Sequence, residues 1–227
     1  MNMDAVFENI ERRRKESQDL LFDLLRIPSV AAKNTGHDDA IEYLTKIFTE
    51  AGFDNFIGET PTKPVFCAEM NVGADKTLLF YDHYDVQPED PIDLWDSPPF
   101  EPTVRDGKIF ARGVTDNKNE IICRLQAIKA YNDIYEKPPI NIKFLIEGEE
   151  EIGSPNLPYF IKNNRDFALN ADGIVWEFGG RTKEGIQQIY LGVKGILYLH
   201  MKTKTIGRDI HSGYTQFVDN AAYELVW

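Results

Sequence analysis

The stretch LLFYDHYDVQP, Leu78 to Pro88, joins an apolar run directly to a group of polar residues. The run has the length and composition of a buried strand, and it ends in Asp82, His83 and Asp85. An imidazole and two carboxylates at a strand tip indicate either a metal ligand with its supporting residues or a polar turn. The stretch by itself leaves both interpretations open, so the rest of the sequence has to decide between them.

Strands and helices alternate along the chain around this stretch. Apolar residues at helical spacing predict helices over residues 4–26, 38–53 and 115–135. The segments PVFCAEMNV, TLLFYD, INIKFLIEG and GIVWE read as strands, the last of them buried. This alternation predicts an α/β fold, with a mostly parallel sheet flanked by helices.

The character of the sequence changes at about Gln187. The segment QQIYLGVKGILYLHMKTKT alternates apolar and polar residues, which predicts β-structure in a new unit. The final segment, VDNAAYELVW, predicts the start of an amphipathic helix without a cap. We therefore expect one domain over residues 1–187 and an incomplete second domain over residues 188–227.

Composition excludes several functional classes. With 42% hydrophobic residues the chain is globular rather than disordered. Its 37 acidic against 25 basic residues give a net charge of −12, which disfavours nucleic acid or an anionic membrane as partner. No apolar run approaches the roughly 18 residues of a membrane span, and the N-terminus lacks the pattern of a secretory signal. Cys67 and Cys123 are expected to be reduced core residues, so we predict a cytoplasmic protein.

Acidic and imidazole side chains recur where predicted strands end or where a crossover helix begins. His83 and Asp85 follow one strand, Glu149–Glu151 follow another, Glu177 ends a third, and Asp116 precedes a helix. Because ligands bind beyond the carboxyl ends of parallel strands, these groups are expected to meet at one rim. Imidazole combined with carboxylates suits zinc, cobalt or manganese better than calcium, which takes oxygen ligands alone.

Each of these features has a simpler interpretation when it is taken alone. A His-x-Asp pair can be a polar turn, EGEEE can be a solvated turn, and Asp116 can be a helix N-cap. Their joint occurrence at the predicted rim favours a metal site. Asp85 would then accept the second ring N–H of His83 and orient the imidazole.

Three longer motifs carry a resemblance to a known family. HYDVQP, WDSPPFEPTVRDGKIFARGVTDNK and EGEEEIGS resemble the zinc-dependent amidohydrolases that include carboxypeptidase G, acetylornithine deacetylase, succinyl-diaminopimelate desuccinylase and carnosine-type dipeptidases. The three motifs are most similar to those of the dipeptidase branch. The resemblance implies a catalytic α/β domain interrupted by a smaller α+β lid that mediates homodimerisation. Residues 1–187 would be the N-terminal part of the catalytic domain, and residues 188–227 the start of the lid.

The resemblance implies a site for two divalent metal ions, with zinc as the first choice and cobalt or manganese as alternatives. His83 and Glu177 would bind the first ion, Asp116 would bridge the two ions, and Glu151 would bind the second. The family's last ligand to the second ion is a histidine from a segment after the lid, which this sequence does not contain. The second site is therefore expected to be incomplete and this chain to be inactive by itself.

The resemblance also implies catalytic roles. Glu150 would be the general base, Asp85 would support His83, and His211 in GRDIHSG would stabilise the oxyanion in a partner subunit's active site. The pair Glu149–Glu150 remains an alternative to Glu150–Glu151. The family usually has Gly or Asn where Asp82 stands, so this residue departs from the pattern.

The sequence thus predicts a metal-dependent hydrolase of peptide bonds in dipeptides. Small peptides or N-acyl amino acids would be its substrates. One alternative is an N-acyl-amino-acid deacylase of the same family. Another, of a different class, is an inactive metal-binding fragment or an interaction protein without the final metal ligand.

Overall fold

The computed structural model describes residues 2–177 and 179–226, which form two compact units that divide after Gln187. The helices are α1 (Met3–Arg12), α2 (Arg14–Leu25), α3 (His37–Glu50), α4 (Lys118–Tyr135), α5 (Leu157–Asn163), α6 (Arg165–Ala168) and α7 (Ala221–Val226). The strands are β1 (Asp54–Gly58), β2 (Val65–Met70), β3 (Thr77–His83), β4 (Thr103–Arg105), β5 (Lys108–Phe110), β6 (Asn141–Glu147), β7 (Gly173–Val175), β8 (Gly180–Arg181) and β9 (Gln187–Gln188).

A five-stranded sheet organises the first unit, in the order β1-β2-β6-β3-β7. β3 pairs in parallel with both β6 and β7, whereas β2 is antiparallel to its two neighbours. Four of the five strands therefore run in the same direction, and β2 alone opposes them. The predicted fold class, a mostly parallel α/β sheet flanked by helices, is confirmed.

Helices cover both faces of this sheet. Alternate residues of β2 and β6 point to opposite sides, as strand geometry requires. Phe66 and Phe144 join the core formed with α2, α3 and α4, while Cys67 and Leu145 join a smaller core with α5 and α6. Burial on both faces explains why the strand sequences read as continuous apolar runs.

A long connection from β3 to α4 carries a short hairpin. β4 and β5 pair antiparallel across Asp106 and Gly107, whose φ angles are 50° and 72°. Two consecutive positive φ values suit the tight turns that match the twist of paired strands.

Within the described residues, no helix combines the length and apolar character that crossing a membrane requires.

Several local expectations are wrong. The segment GIVWE is not a buried strand, because β7 lies at the sheet edge and leaves Ile174 56% and Trp176 46% exposed. The first predicted helix is two helices that meet at Arg13. Both cysteines are free, as expected, but Cys123 lies on an exposed face of α4 instead of in the core.

The expected β-structure beyond Gln188 is also wrong for the described residues. From Ile189 to His211 they form no helix or strand, and Leu191 is 99% exposed. An alternating sequence forms a stable strand only when neighbouring strands pair with it and cover its apolar face. The short helix α7 lies where the final amphipathic segment predicts one. The assignment of residues 188–227 to a lid stays a prediction.

Phe144 is expected to be a principal stabilising residue of the first unit. Its ring is fully buried and lies 4.9 Å from the rings of both Phe48 and Phe80, measured between centroids. Phe144→Ala should lower the free energy of unfolding by about 3–5 kcal/mol, because it removes buried surface and leaves a cavity. Urea denaturation measures the change. Phe7→Ala, at a side chain in α1 that is 57% exposed, is the matched control. Equal losses in the two variants would contradict this description of the core.

Candidate metal centre

The imidazole of His83 is held at the C-terminal end of β3, opposite Glu147 of β6, and is fully buried. Its Nδ1 lies 3.0 Å from the main-chain oxygen of Asp85 and 3.3 Å from the Asp85 carboxylate. The His83 main-chain N–H donates to Oδ1 of Asn117 at 3.1 Å. These contacts fix the ring and leave Nε2 as the nitrogen available to a ligand.

Three carboxylates surround Nε2 of His83. The oxygen of Asp116 is 2.9 Å away, that of Glu177 is 3.2 Å away, and that of Glu150 is 3.8 Å away. Ligand atoms of His83, Glu150 and Glu177 all lie within 4.8 Å of one another. The structure thus brings together residues from the ends of β3, β6 and β7 and from the segment before α4.

Asp85 links His83 to the turn that carries the glutamates. Its fully buried carboxylate accepts the main-chain N–H of Glu150 at 3.1 Å and that of Glu151 at 3.0 Å. The Glu151 carboxylate accepts a hydrogen bond of 2.7 Å from Gln87, which also donates to the Glu151 main-chain oxygen. One carboxylate therefore sets the position of both the imidazole and the glutamate turn.

Glu149 makes its contacts outside the group around His83. Its carboxylate is buried and accepts hydrogen bonds from the Thr62 hydroxyl and, at 2.8 Å, from the Asn156 amide. Of the three consecutive glutamates, Glu150 alone has its carboxylate in the close group of ligand atoms found among the described residues, whereas the Glu151 carboxylate is held by Gln87.

The pKa values of His83 and of the carboxylates around it are shifted from their usual values. Burial opposes protonation of His83, but its hydrogen bonds to Asp116 and Asp85 prevail and raise its pKa to about 11. Burial raises the pKa of Glu177 to about 7, and burial also raises the pKa values of Glu150 and Glu151. The hydrogen bond to His83 lowers the pKa of Asp116. Without a cation, the protonated imidazole is the positive charge that these carboxylates share.

The donor set fits a divalent cation. Oε2 of Glu177 is buried, has no hydrogen-bond partner among the described residues, and points toward Nε2 of His83. A buried carboxylate oxygen in this state is costly unless a cation or a donor compensates it. One imidazole and several carboxylates suit zinc, cobalt or manganese.

His211 is the remaining residue for which the sequence predicts a catalytic role. It lies in the second unit, where its exposed ring caps a short turn, with Nδ1 accepting the Gly213 N–H at 3.0 Å. Its role as an oxyanion-stabilising residue stays a prediction.

Sequence reasoning missed three residues that support the centre. Asn117 and Gln87 stand inside the motifs DNK and HYDVQP, so their positions in those motifs were a usable signal. Arg124, which binds the main-chain oxygen of the residue before Glu177, stands within α4 and carries no signal in the sequence.

Comparison with known proteins finds similarity to a family of peptidases and to dipeptidases. A family model described as "Peptidase family M20/M25/M40" matches residues 79–225. The human Beta-Ala-His dipeptidase is 37% identical over 67% of this chain and 31% of its own length. The Cys-Gly metallodipeptidase dug1 of Schizosaccharomyces pombe is 29% identical over 94% of this chain and 48% of its own length.

Among solved structures, an M20 family metallo-carboxypeptidase, Sso-CP2 from Sulfolobus solfataricus, is similar to this chain with a TM-score of 0.71 and 42% identity. The similarity covers 75% of this chain and 39% of that protein. The chain spans about a third to a half of the length of the curated relatives that it matches.

Metal binding at this centre is expected to release protons at pH 7. His83, with a pKa of about 11, is protonated in the metal-free protein, and Glu177, with a pKa of about 7, is half protonated. Because metal ligands must be deprotonated, zinc should displace about one to two protons, and its affinity should rise with pH. Calorimetric titration with zinc in buffers of different ionisation enthalpy measures this number.

The variant Glu177→Gln is the control for this titration, since it removes one titrating ligand. It should bind zinc more weakly and release fewer protons than the unaltered chain. A binding enthalpy that is the same in every buffer would contradict the assignment of His83 and Glu177 as ligands.

Proposed function

This chain belongs to peptidase family M20/M25/M40, and we propose that its metal centre serves the hydrolysis of peptide bonds in dipeptides. The observation that carries the proposal is the convergence of Asp116, Glu150 and Glu177 on Nε2 of the buried His83. The names of two relatives, a Beta-Ala-His dipeptidase and a Cys-Gly metallodipeptidase, support dipeptides as the substrate class.

We assign the metal ligands as follows. His83 and Glu177 would hold a first ion, Glu151 would hold a second, and Asp116 would serve both. The Glu177 oxygen, which has no hydrogen-bond partner among the described residues, and the 2.9 Å approach of Asp116 to His83 support the first site. Zinc is the proposed metal, with cobalt and manganese as alternatives that suit the same donors.

Glu150 is proposed as the general base. A bound divalent ion supplies Lewis-acid chemistry, which polarises an amide carbonyl and acidifies water. Glu150 accepts the proton of the attacking water and then delivers it to the leaving amine nitrogen. Burial raises its pKa, which makes its carboxylate a stronger base than an exposed glutamate. The turn that carries Glu150 is fixed by Asp85, so its carboxylate needs little reorganisation to act.

The remaining roles rest on the sequence. His211 is proposed to stabilise the oxyanion. Residues 188–227 are proposed to begin a lid through which two copies associate. The cytoplasmic location and the exclusion of nucleic acid and membranes as partners likewise stay predictions.

A second candidate activity is removal of a C-terminal residue from a longer peptide. It is favoured by the 42% identity to a metallo-carboxypeptidase. The two activities share the metal centre and the general base, and they differ in the length of the peptide that the site accepts. An N-acyl-amino-acid deacylase is the third possibility and would use the same residues on an acyl amide.

Hydrolysis by the zinc-loaded chain tests these activities together. The substrates are β-Ala-His, Cys-Gly, a pentapeptide and an N-acetyl amino acid. Hydrolysis of each is measured as the free amino acid that it releases. Preferential hydrolysis of the dipeptides would support the proposal and would overturn the expectation that this chain is inactive by itself. Preference for the pentapeptide, with release of its C-terminal residue, would establish the carboxypeptidase, and turnover of the N-acetyl compound alone would establish the deacylase.

Glu150→Gln should lower hydrolysis by about 100-fold or more, because it removes the proton acceptor. Zinc should remain bound, since His83, Asp116 and Glu177 are unchanged. Glu149→Gln is the matched control, because the Glu149 carboxylate is held by Thr62 and Asn156. Loss of activity in this control with retention in Glu150→Gln would shift the base to Glu149.

Bound zinc without hydrolysis of any substrate would favour the rival interpretation, a metal-binding chain that performs no chemistry. It would also agree with the sequence-based expectation that this chain is inactive by itself. Metal content per chain, measured on the same sample, separates this outcome from a failure to load the ion.

A further inference from the structure

We propose that Arg124 is a positioning residue that holds the Glu177 carboxylate in place for the metal. The inference rests on the proposed metal centre and adds a residue that no sequence motif indicates. Arg124 stands on α4, and its guanidinium donates to the main-chain oxygens of Tyr81 in β3 and Trp176 just after β7. Trp176 is the residue directly before Glu177.

The need for such a residue follows from where strand pairing stops. β7 pairs with β3 from Leu78↔Gly173 to Phe80↔Val175, and no pair follows among the described residues. β3 itself continues to pair with β6 as far as His83. The ligand His83 is therefore held by a strand ladder, whereas Glu177 lies two residues beyond the end of its own ladder.

Arg124 joins β3 to the segment after β7 at the next position in register. After Phe80 and Val175, the next residues along the strands are Tyr81 and Trp176, and Arg124 binds both of their main-chain oxygens, at 2.9 Å and 2.8 Å. The guanidinium thus replaces the missing ladder pair with two hydrogen bonds from one planar group. The Trp176 ring stacks on the Tyr81 ring with centroids 3.8 Å apart, which adds a second link at the same position.

Asp82 holds the guanidinium in this geometry. Its carboxylate is fully buried and accepts from Nη1 of Arg124 at 2.6 Å, and the Arg124 side chain is only 10% exposed. The guanidinium also lies over the Phe80 ring, 5.4 Å from its centroid. Oδ2 of Asp82 is buried with no hydrogen-bond partner among the described residues, so the pair leaves one polar atom uncompensated. A buried ion pair is weak support for stability, which favours a role in geometry instead.

The test uses a pair of variants, because Arg124→Gln alone leaves the Asp82 charge buried and unpaired and can prevent folding. Asp82→Asn keeps an oxygen for Arg124 and both main-chain hydrogen bonds. The double variant Asp82→Asn/Arg124→Gln then removes the guanidinium without leaving a buried charge. Zinc affinity is measured by competition with a chelator, and cobalt absorption reports the ligand geometry of the loaded centre.

Asp82→Asn is the reference for the zinc affinity of the double variant, because it keeps Arg124 and both of its main-chain hydrogen bonds. The double variant should bind zinc about 10-fold more weakly, the effect typical of losing a residue that orients a metal ligand. Its cobalt spectrum should change, and amide exchange over residues 173–177 should be faster in the metal-free protein. Arg13→Gln is the external control, since Arg13 also makes ion pairs, although with the more exposed carboxylates of Glu16 and Asp133. It should leave both metal readouts unchanged.

Two failures are distinguishable. If the unaltered chain binds no zinc, the proposed metal centre is wrong and this inference falls with it. If the unaltered chain binds zinc and the double variant matches Asp82→Asn in affinity, cobalt spectrum and amide exchange, only the role of Arg124 is wrong. An equal loss of affinity in Arg13→Gln would also overturn it, because the effect would then follow from stability alone.

Discussion

The convergence of carboxylates on one buried imidazole nitrogen is the constraint on which the rest of the site depends. Asp116, Glu150 and Glu177 have their oxygens within 3.8 Å of Nε2 of His83. Such crowding is unfavourable for carboxylates unless a positive charge is shared among them. In the metal-free protein the protonated imidazole carries that charge, and a divalent ion is proposed to replace it. Proton and metal would then compete for the same ligand atoms.

A second set of contacts holds the crowded residues in place. The carboxylate of Asp85 lies beside Nδ1 of His83 and accepts two main-chain N–H groups of the glutamate turn. Gln87, from the same segment as Asp85, holds the Glu151 carboxylate. The two residues therefore connect the tip of β3 to the turn after β6. Hydrogen bonds thus hold the His83 ring, the Glu151 carboxylate and the main chain of the proposed base Glu150, as expected of a preorganised site.

The sheet edge is the part of this arrangement with the least backbone support. β3 and β6 are central strands buried on both faces, but β7 is a short edge strand whose pairing ends before Glu177. Side-chain contacts take over from the ladder there, through the guanidinium of Arg124 and the stacking of Trp176 on Tyr81. The buried Asp82 is understandable in this setting as the counter-charge of Arg124.

The sequence by itself determined the α/β class, the central strands β2, β3 and β6, and the rim to which His83, Asp116, Glu150 and Glu177 belong. Those features follow from local rules: apolar runs predict buried strands, and polar residues at strand ends meet at the carboxyl edge. Tertiary structure decided that β7 is an exposed edge, that Glu149 is held by Thr62 and Asn156, and that Arg124 supports Glu177. It also decided that residues after Gln188 form no further strand in the described chain. Each of these depends on which neighbours lie beside a segment in space, and an alternating or apolar pattern carries no information about those neighbours.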